Sequence, residues 1–384
     1  MDLLQPVLIL FLMFSALGVL NFQASLIFSE LVKRLLRYEF IWFHLFAGYL
    51  IQCHSNAMKG LLRVAIFAGM LSVTVSAIGY FFEFDFAFAH QSLFTTEGYF
   101  GQRAGGLVGD SSAYGHLVAT FGSLSIGYLA YIAKGGHRFT WAFIVLLIVA
   151  YCLYISSSRS AYINITSALL TLIFLSKWNK LYLMCCSMIM AVLGTISYLG
   201  YMLVGSGTND VTSPFQQIVA RLFEPLGFLV GLGGKAVNIE SLSSGRINNW
   251  SQVFDLSVEN WLTGSGYKSM YLYYGIPVDN NFLQLLAECG LVSATLFCIM
   301  VCLVMRRLLV GSSSYPIGRM LFAVWVGQLS HMFFVETLSF YSSMPTLLCL
   351  TSIYINGLWK SEGVYKGVAH TFPLKASVAV TRPR

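Results

Sequence analysis

The chain has 384 residues, of which 57% are hydrophobic and only 10% charged. An ordinary soluble domain is nearer a quarter charged, so this is the composition of a polytopic membrane protein. The net charge of +7 comes from basic residues scattered over short loops, a membrane-topology pattern that argues against nucleic-acid binding.

A spanning helix needs about 20 mainly apolar residues. That criterion predicts about ten, over residues 3–29, 38–57, 61–82, 112–133, 140–156, 160–176, 181–204, 279–305, 317–334 and 337–357. The first follows Met1-Asp2 without a basic leader or a small-residue cleavage site, so it is expected as a retained helix. Lys134, Arg138, Lys177, Lys180, Arg306, Arg307 and the basic residues of the tail fall on one side. The positive-inside rule makes that side cytoplasmic. Lys33, Arg34 and Arg37 then fall outside, so either the first two helices are mis-drawn or Ser29–Arg37 is a basic helix lying at the outer interface. Lys59 and Arg63, which also want the inside, favour the second.

The expected fold class is all-α: one membrane domain over residues 1–384 with about ten transmembrane helices. Two loops face outward, 83–111 and the long, partly helical 205–278, and 360–384 form a mobile cytoplasmic tail. All eight cysteines lie in or beside apolar segments without metal-ligand spacing. They read as small packing residues. His44, His54, His90 and His116 also lack ligand spacing and read as packing or boundary residues.

Long water-exposed loops are uncommon in membrane proteins unless they carry function, so the outward loops hold the candidate residues. Arg103, in Gly101-Gln-Arg-Ala-Gly-Gly106, precedes a helix start where Asp110 is either its ion-pair partner or the N-cap. Arg159, within Ser156-Ser-Ser-Arg-Ser160, sits at the outer boundary of two apolar segments. An arginine there either binds an anion or snorkels to headgroups.

Arg246 opens the amphipathic stretch to Phe254 and shares a helical face with Trp250. A helix stop and tight turn follow at Leu262-Thr-Gly264-Ser-Gly266. Asp279 and Asn280 head the next membrane helix, either as its N-cap or as a carboxylate able to take a proton from a hydroxyl. Glu288, on the same helix, is an intramembrane carboxylate that orients the site or pairs with an arginine. Gly227–Lys235 looks phosphate-cradling, but it lacks the first glycine, the Ser/Thr and the preceding strand of a P-loop.

In order, Arg103-x-x-Gly106, Ser157-Ser-Arg159-Ser-Ala161, Arg246-x-x-x-Trp250, Gly264-x-Gly266 and Asp279-Asn280-x-Phe-Leu-Gln-Leu-Leu-x-Glu288-x-Gly-Leu291 resemble the bacterial O-antigen ligase/polymerase family. These are membrane glycosyltransferases acting on polyprenyl-diphosphate-linked glycans, and the resemblance covers about residues 100–305. It implies a GT-C-like helical fold in the bacterial inner membrane, with a periplasmic active site. It also implies a transfer without metal or other cofactor, in which an acceptor hydroxyl attacks the anomeric carbon and the polyprenyl diphosphate leaves.

The catalytic set implied is Asp279 as general base with Arg159 and Arg246 on the leaving diphosphate. Arg103, Asn280, Trp250, Glu288, Gly264 and Gly266 follow as substrate-binding residues. Expected partners are the lipid-linked oligosaccharide, membrane lipids and a chain-length regulator. Ligases of this family typically carry His-Asn where this chain has Asp279-Asn280. That departure favours a repeat-unit polymerase over the ligase, with a lipid-linked glycan transporter as the alternative of another class.

Overall fold

The structure, a computed structural model, describes residues 4–20, 45, 48, 55–82, 96–98, 101–108, 110–133, 137–156, 158–175, 246–266, 269–335 and 343–371. The expected spans 181–204 and most of 38–57 lie outside the described residues, as do Ser29–Arg37, 205–245 and the other three histidines named above.

The described chain is helical apart from one small hairpin. Its elements are α1 (Leu4–Leu20), α2 (Ser55–Phe81), β1 (Thr96–Gly98), β2 (Gly101–Arg103), α3 (Ser111–Tyr131), α4 (Arg138–Ser156) and α5 (Arg159–Leu175). Then come α6 (Arg246–Ser257), α7 (Ser269–Tyr274), α8 (Asn281–Ser314), α9 (Pro316–Met332) and α10 (Met344–Thr371). Helix α3 is the hub. Its residues from Ala113 to Gly127 are all buried, and it packs against α2, α4, α5 and α9, while α8 lies between α1 and α9.

Among the described residues, Ala57–Phe81 and Asn281–Ser312 are long and apolar enough to cross a membrane, and Leu4–Phe14, Thr140–Ser156 and Ser160–Leu175 are shorter apolar helices. Large apolar side chains such as Val64, Phe67, Trp141 and Phe174 point outward and are exposed. Such a surface suits an apolar solvent far better than water.

Three boundaries differ from the sequence expectation. The gap expected between residues 57 and 61 does not exist: α2 begins at Ser55 and runs through Lys59. Helix α10 starts at Met344 rather than 337 and continues to Thr371. After Pro345 the next proline is Pro373, and a helix tends to stop just before such a residue. Between α2 and α3, β1 and β2 pair antiparallel with Thr96 opposite Arg103. Three-residue strands leave too short an alternation to stand out in the sequence.

Two sets of contacts define the ends of the bundle. At one end, Ala104 N–H donates to the Ile155 carbonyl (3.0 Å), and Leu107 N–H to Ser76 Oγ (3.0 Å). There too His116 meets Ser343 (2.6 Å), and Asn280 Nδ2 donates to the Phe333 carbonyl (3.2 Å). These bonds bring the heads of α3, α5, α8 and α10 together with the tails of α2, α4 and α9. At the other end, Tyr131 OH donates to the Leu172 carbonyl (2.7 Å), Arg63 Nε donates to Tyr128 OH, and Arg319 lies over the Tyr131 ring. Arg63 therefore shares an end with Arg138, Arg306, Arg307 and Arg319, as helix direction requires.

Candidate active site

The polar end is assembled around the head of α8. Asn280 has an extended backbone and its Oδ1 accepts from Phe282 N–H (3.0 Å) and Leu283 N–H (3.1 Å), which makes it the N-cap. The sequence leaves that role open between two neighbours. Because Asn280 takes it, the Asp279 carboxylate is not needed by the helix and turns to the guanidinium of Arg246, with Nε donating to Oδ2 at 3.1 Å. The two side chains are 38% and 31% exposed, so the pair is open to water.

Arg246 is the first residue of α6, whose amphipathic pattern works as expected. Val253 and Ser257 are buried on the face shared with Arg246 and Trp250, while Asn248, Ser251, Gln252, Phe254 and Asp255 are exposed. Val253 joins Met270, Val278 and Ala287 in a small apolar cluster separate from the main core. This cluster clamps α6 and α7 onto the first turns of α8. The Trp250 indole Nε1 is buried and finds no acceptor among the described residues.

Along the buried face of α8, Asn281 Nδ2 donates to Gln284 Oε1 (3.3 Å) and Gln284 Nε2 to Glu288 Oε1 (3.3 Å). Two residues later the helix breaks, for Gly290 has φ +82° and ψ +174°. The turn from Trp261 to Gly266 enters that break. Ser265 N–H donates to the Ala287 carbonyl (2.8 Å), Gly266 N–H to the Glu288 carbonyl (3.0 Å), and Leu291 N–H to the Trp261 carbonyl (2.7 Å).

Backbone groups orphaned by a kink need new partners when buried, and the loop supplies them. Gly264 (φ +76°) and Gly290 face each other so closely that a Cβ on either would collide with the other segment's backbone. Gly264→Ala is therefore expected to destabilise the protein by at least about 1–2 kcal/mol from the left-handed backbone alone. A thermal-unfolding midpoint in detergent equal to the parent's would contradict this.

The break also bears on Glu288. At 1.5 Å per residue the 34 residues of α8 extend about 51 Å, well beyond a hydrocarbon core of about 30 Å. The part after Gly290 is long enough to cross by itself. Glu288 stands two residues before Gly290, in the turns that precede that part.

Arg159 is the first residue of α5, directly after the turn that closes α4. Arg103 ends β2 and precedes Ala104, whose amide bonds to Ile155. Both backbones therefore lie at the polar end. The same end holds groups that no sequence pattern singles out. His331, near the tail of α9, is fully buried; its Nδ1 meets Asn164 Nδ2 of α5 at 3.3 Å, and its ring lies 5.0 Å from that of His116.

His116 is held by Ser343 and by Gln328 Oε1, and Gln328 Nε2 donates to Thr120 (2.7 Å). Both ring nitrogens of His116 thus meet polar partners inside the bundle. A histidine and a glutamine inside an otherwise apolar helix are the signal that α9 offers. Among the described residues, no three His, Cys, Asp or Glu side chains group as metal ligands do.

Among the described residues, fold and site together define a helical protein with one small hairpin, membrane-like apolar helices and a polar site at one end of the bundle. Residues 143–298, less than half of the chain, match the O-Antigen ligase family model. The match supports the O-antigen ligase/polymerase family and does not separate polymerase from ligase. It runs from α4 into α8 and so contains Arg159, Arg246, Trp250, Gly264, Gly266, Asp279, Asn280 and Glu288, but not Arg103. No curated protein matches the chain.

Proposed function

We propose that this protein is a bacterial glycosyltransferase that joins polyprenyl-diphosphate-linked oligosaccharide repeat units into O-antigen or capsular polysaccharide. The observation that carries the reading is the Arg246–Asp279 pair, set by α6 and the capped head of α8 inside the family-matched segment. The acceptor sugar hydroxyl attacks the anomeric carbon of the donor as Asp279 takes its proton. The bond from that carbon to the diphosphate oxygen breaks, and the lipid diphosphate departs with the electron pair.

Arg246 and Arg159 receive the departing diphosphate, because guanidinium groups make paired, charge-assisted hydrogen bonds to phosphate oxygens. Arg103 assists from the hairpin, and Asn280, Trp250 and Glu288 shape the substrate side. Gly264 and Gly266 serve by locking the turn onto α8. The protein spans the inner membrane several times, its polar end facing the periplasm and Arg63, Arg138, Arg306, Arg307 and Arg319 facing the cytoplasm.

The name of the matched family favours a second reading, a ligase moving finished glycan to a lipid acceptor. Asp279 at the position where ligases typically carry histidine supports the polymerase. Deleting the gene and running surface glycolipid on a gel separates the two. Loss of a polymerase leaves acceptor lipid bearing single repeat units. Loss of a ligase leaves no glycan attached, and loss of a transporter strands the lipid-linked unit on the cytoplasmic leaflet.

A further inference from the structure

We propose that His331 is a positioning residue for the transfer, its bond to Asn164 fixing the place of Arg159 against the Arg246–Asp279 pair. This rests on the reading above, in which both arginines receive the leaving diphosphate. Arg159 comes from the head of α5 and Arg246 from the head of α6, which is clamped to α8. A diphosphate shared between them needs both heads at a set separation.

One run of contacts crosses from the first head to the second. Asn164 lies five residues after Arg159, about 7.5 Å along the axis of α5. Its Nδ2 donates to His331 Nδ1 at 3.3 Å. Two residues beyond His331, the Phe333 carbonyl accepts from Asn280 Nδ2 at 3.2 Å, and the Phe333 ring lies 4.8 Å from that of Phe282. Asn280 adjoins Asp279, which holds Arg246. The charge of Arg246 also acts on the His331 ring.

Asn164 and His331 are both fully buried, and polar side chains inside a membrane bundle are expensive. Apolar residues would also hold α5 and α9 together. A hydrogen bond adds direction, because it is satisfied at only one height and rotation of α5 against α9. The two helices approach closely here, since a Cβ on Gly327 would collide with the side chain and carbonyl of Asn164. His331 thus acts on transfer through Arg159.

The test is a double-mutant cycle on the full chain in lipid nanodiscs. It is read both as affinity for a synthetic lipid-linked repeat unit and as transfer rate. H331L and N164A are each expected to lower transfer by about 10- to 100-fold, the scale of a misplaced binding group. In an R159A background the same substitutions are expected to cost less than about twofold in either readout, because residues acting through one another are not additive. H331N puts an amide where the imidazole Nδ1 stood and is expected to keep transfer near the parent's.

Thr351 supplies the control. T351V removes the acceptor of the Trp325 indole, a buried bond between α9 and α10 of 2.8 Å that lies off this run. It is expected to lower the thermal midpoint and leave transfer as it was.

If R159A binds donor and transfers glycan as the parent does, the functional reading of Arg159 itself fails. If R159A is impaired but H331L impairs it by the full factor again, the positioning proposal is overturned and the reading survives. Parent-like transfer by H331L or N164A overturns it too, as does an H331N variant as slow as H331L. A T351V variant that slows transfer as H331L does has the same force, since general loosening then accounts for the loss. N164A removes bulk rather than adding it, and it carries the same cycle if H331L does not accumulate in the membrane.

Discussion

Arg246→Ala is expected to abolish glycan extension while the protein reaches the membrane at normal levels. The guanidinium is about a third exposed and its one ion pair is open to water, so its contribution to folding is at most about 1 kcal/mol. Its contribution to the reaction is of another size. A preorganised donor aimed at developing negative charge is worth roughly 10²–10³ in rate, and the diphosphate is where the charge collects. Val253, Met270, Val278 and Ala287 continue to hold α6 against α8 without it. The measurement is a glycan ladder from a strain carrying only the variant, with membrane levels checked by immunoblot. A full ladder would exclude Arg246 from diphosphate binding.

Asp279→Asn is expected to lower transfer by about 10²–10⁴, the usual worth of a positioned general base. The substitution is close to isosteric, and the cap of α8 rests on Asn280, whose bonds to Phe282, Leu283 and Phe333 are untouched. Thermal stability should therefore stay near that of the parent. Transfer is measured with purified protein and a synthetic lipid-linked repeat unit. Undiminished polymer would assign Asp279 to ion pairing alone.

Much of this site is legible in the amino-acid sequence. Arg246 and Trp250 announce an amphipathic helix, because a four-residue spacing places both side chains on one face of an otherwise polar stretch. Pro277 followed by Asp279 and Asn280 announces a helix start. Which of the two residues caps is not legible, since Asp and Asn are equally suited and only backbone geometry decides.

The α9 contribution is harder to see. His331 and Gln328 lie in an apolar run that reads as an ordinary span, and their partners Asn164 and His116 are 167 and 212 residues away. The break at Gly290 is hidden for a related reason. A single glycine in a long apolar helix is usually tolerated, and here its meaning depends on a turn well upstream that borrows the carbonyls beside it.

That borrowing sets a rule for anyone exchanging donor preferences between relatives. A segment ending at the obvious helix start, before Asp279, would carry the turn into a host whose Ala287 and Glu288 carbonyls were never shaped to meet it. The natural downstream junction of a chimaera lies beyond Leu291, so that both sides of the backbone crossing arrive from the same parent.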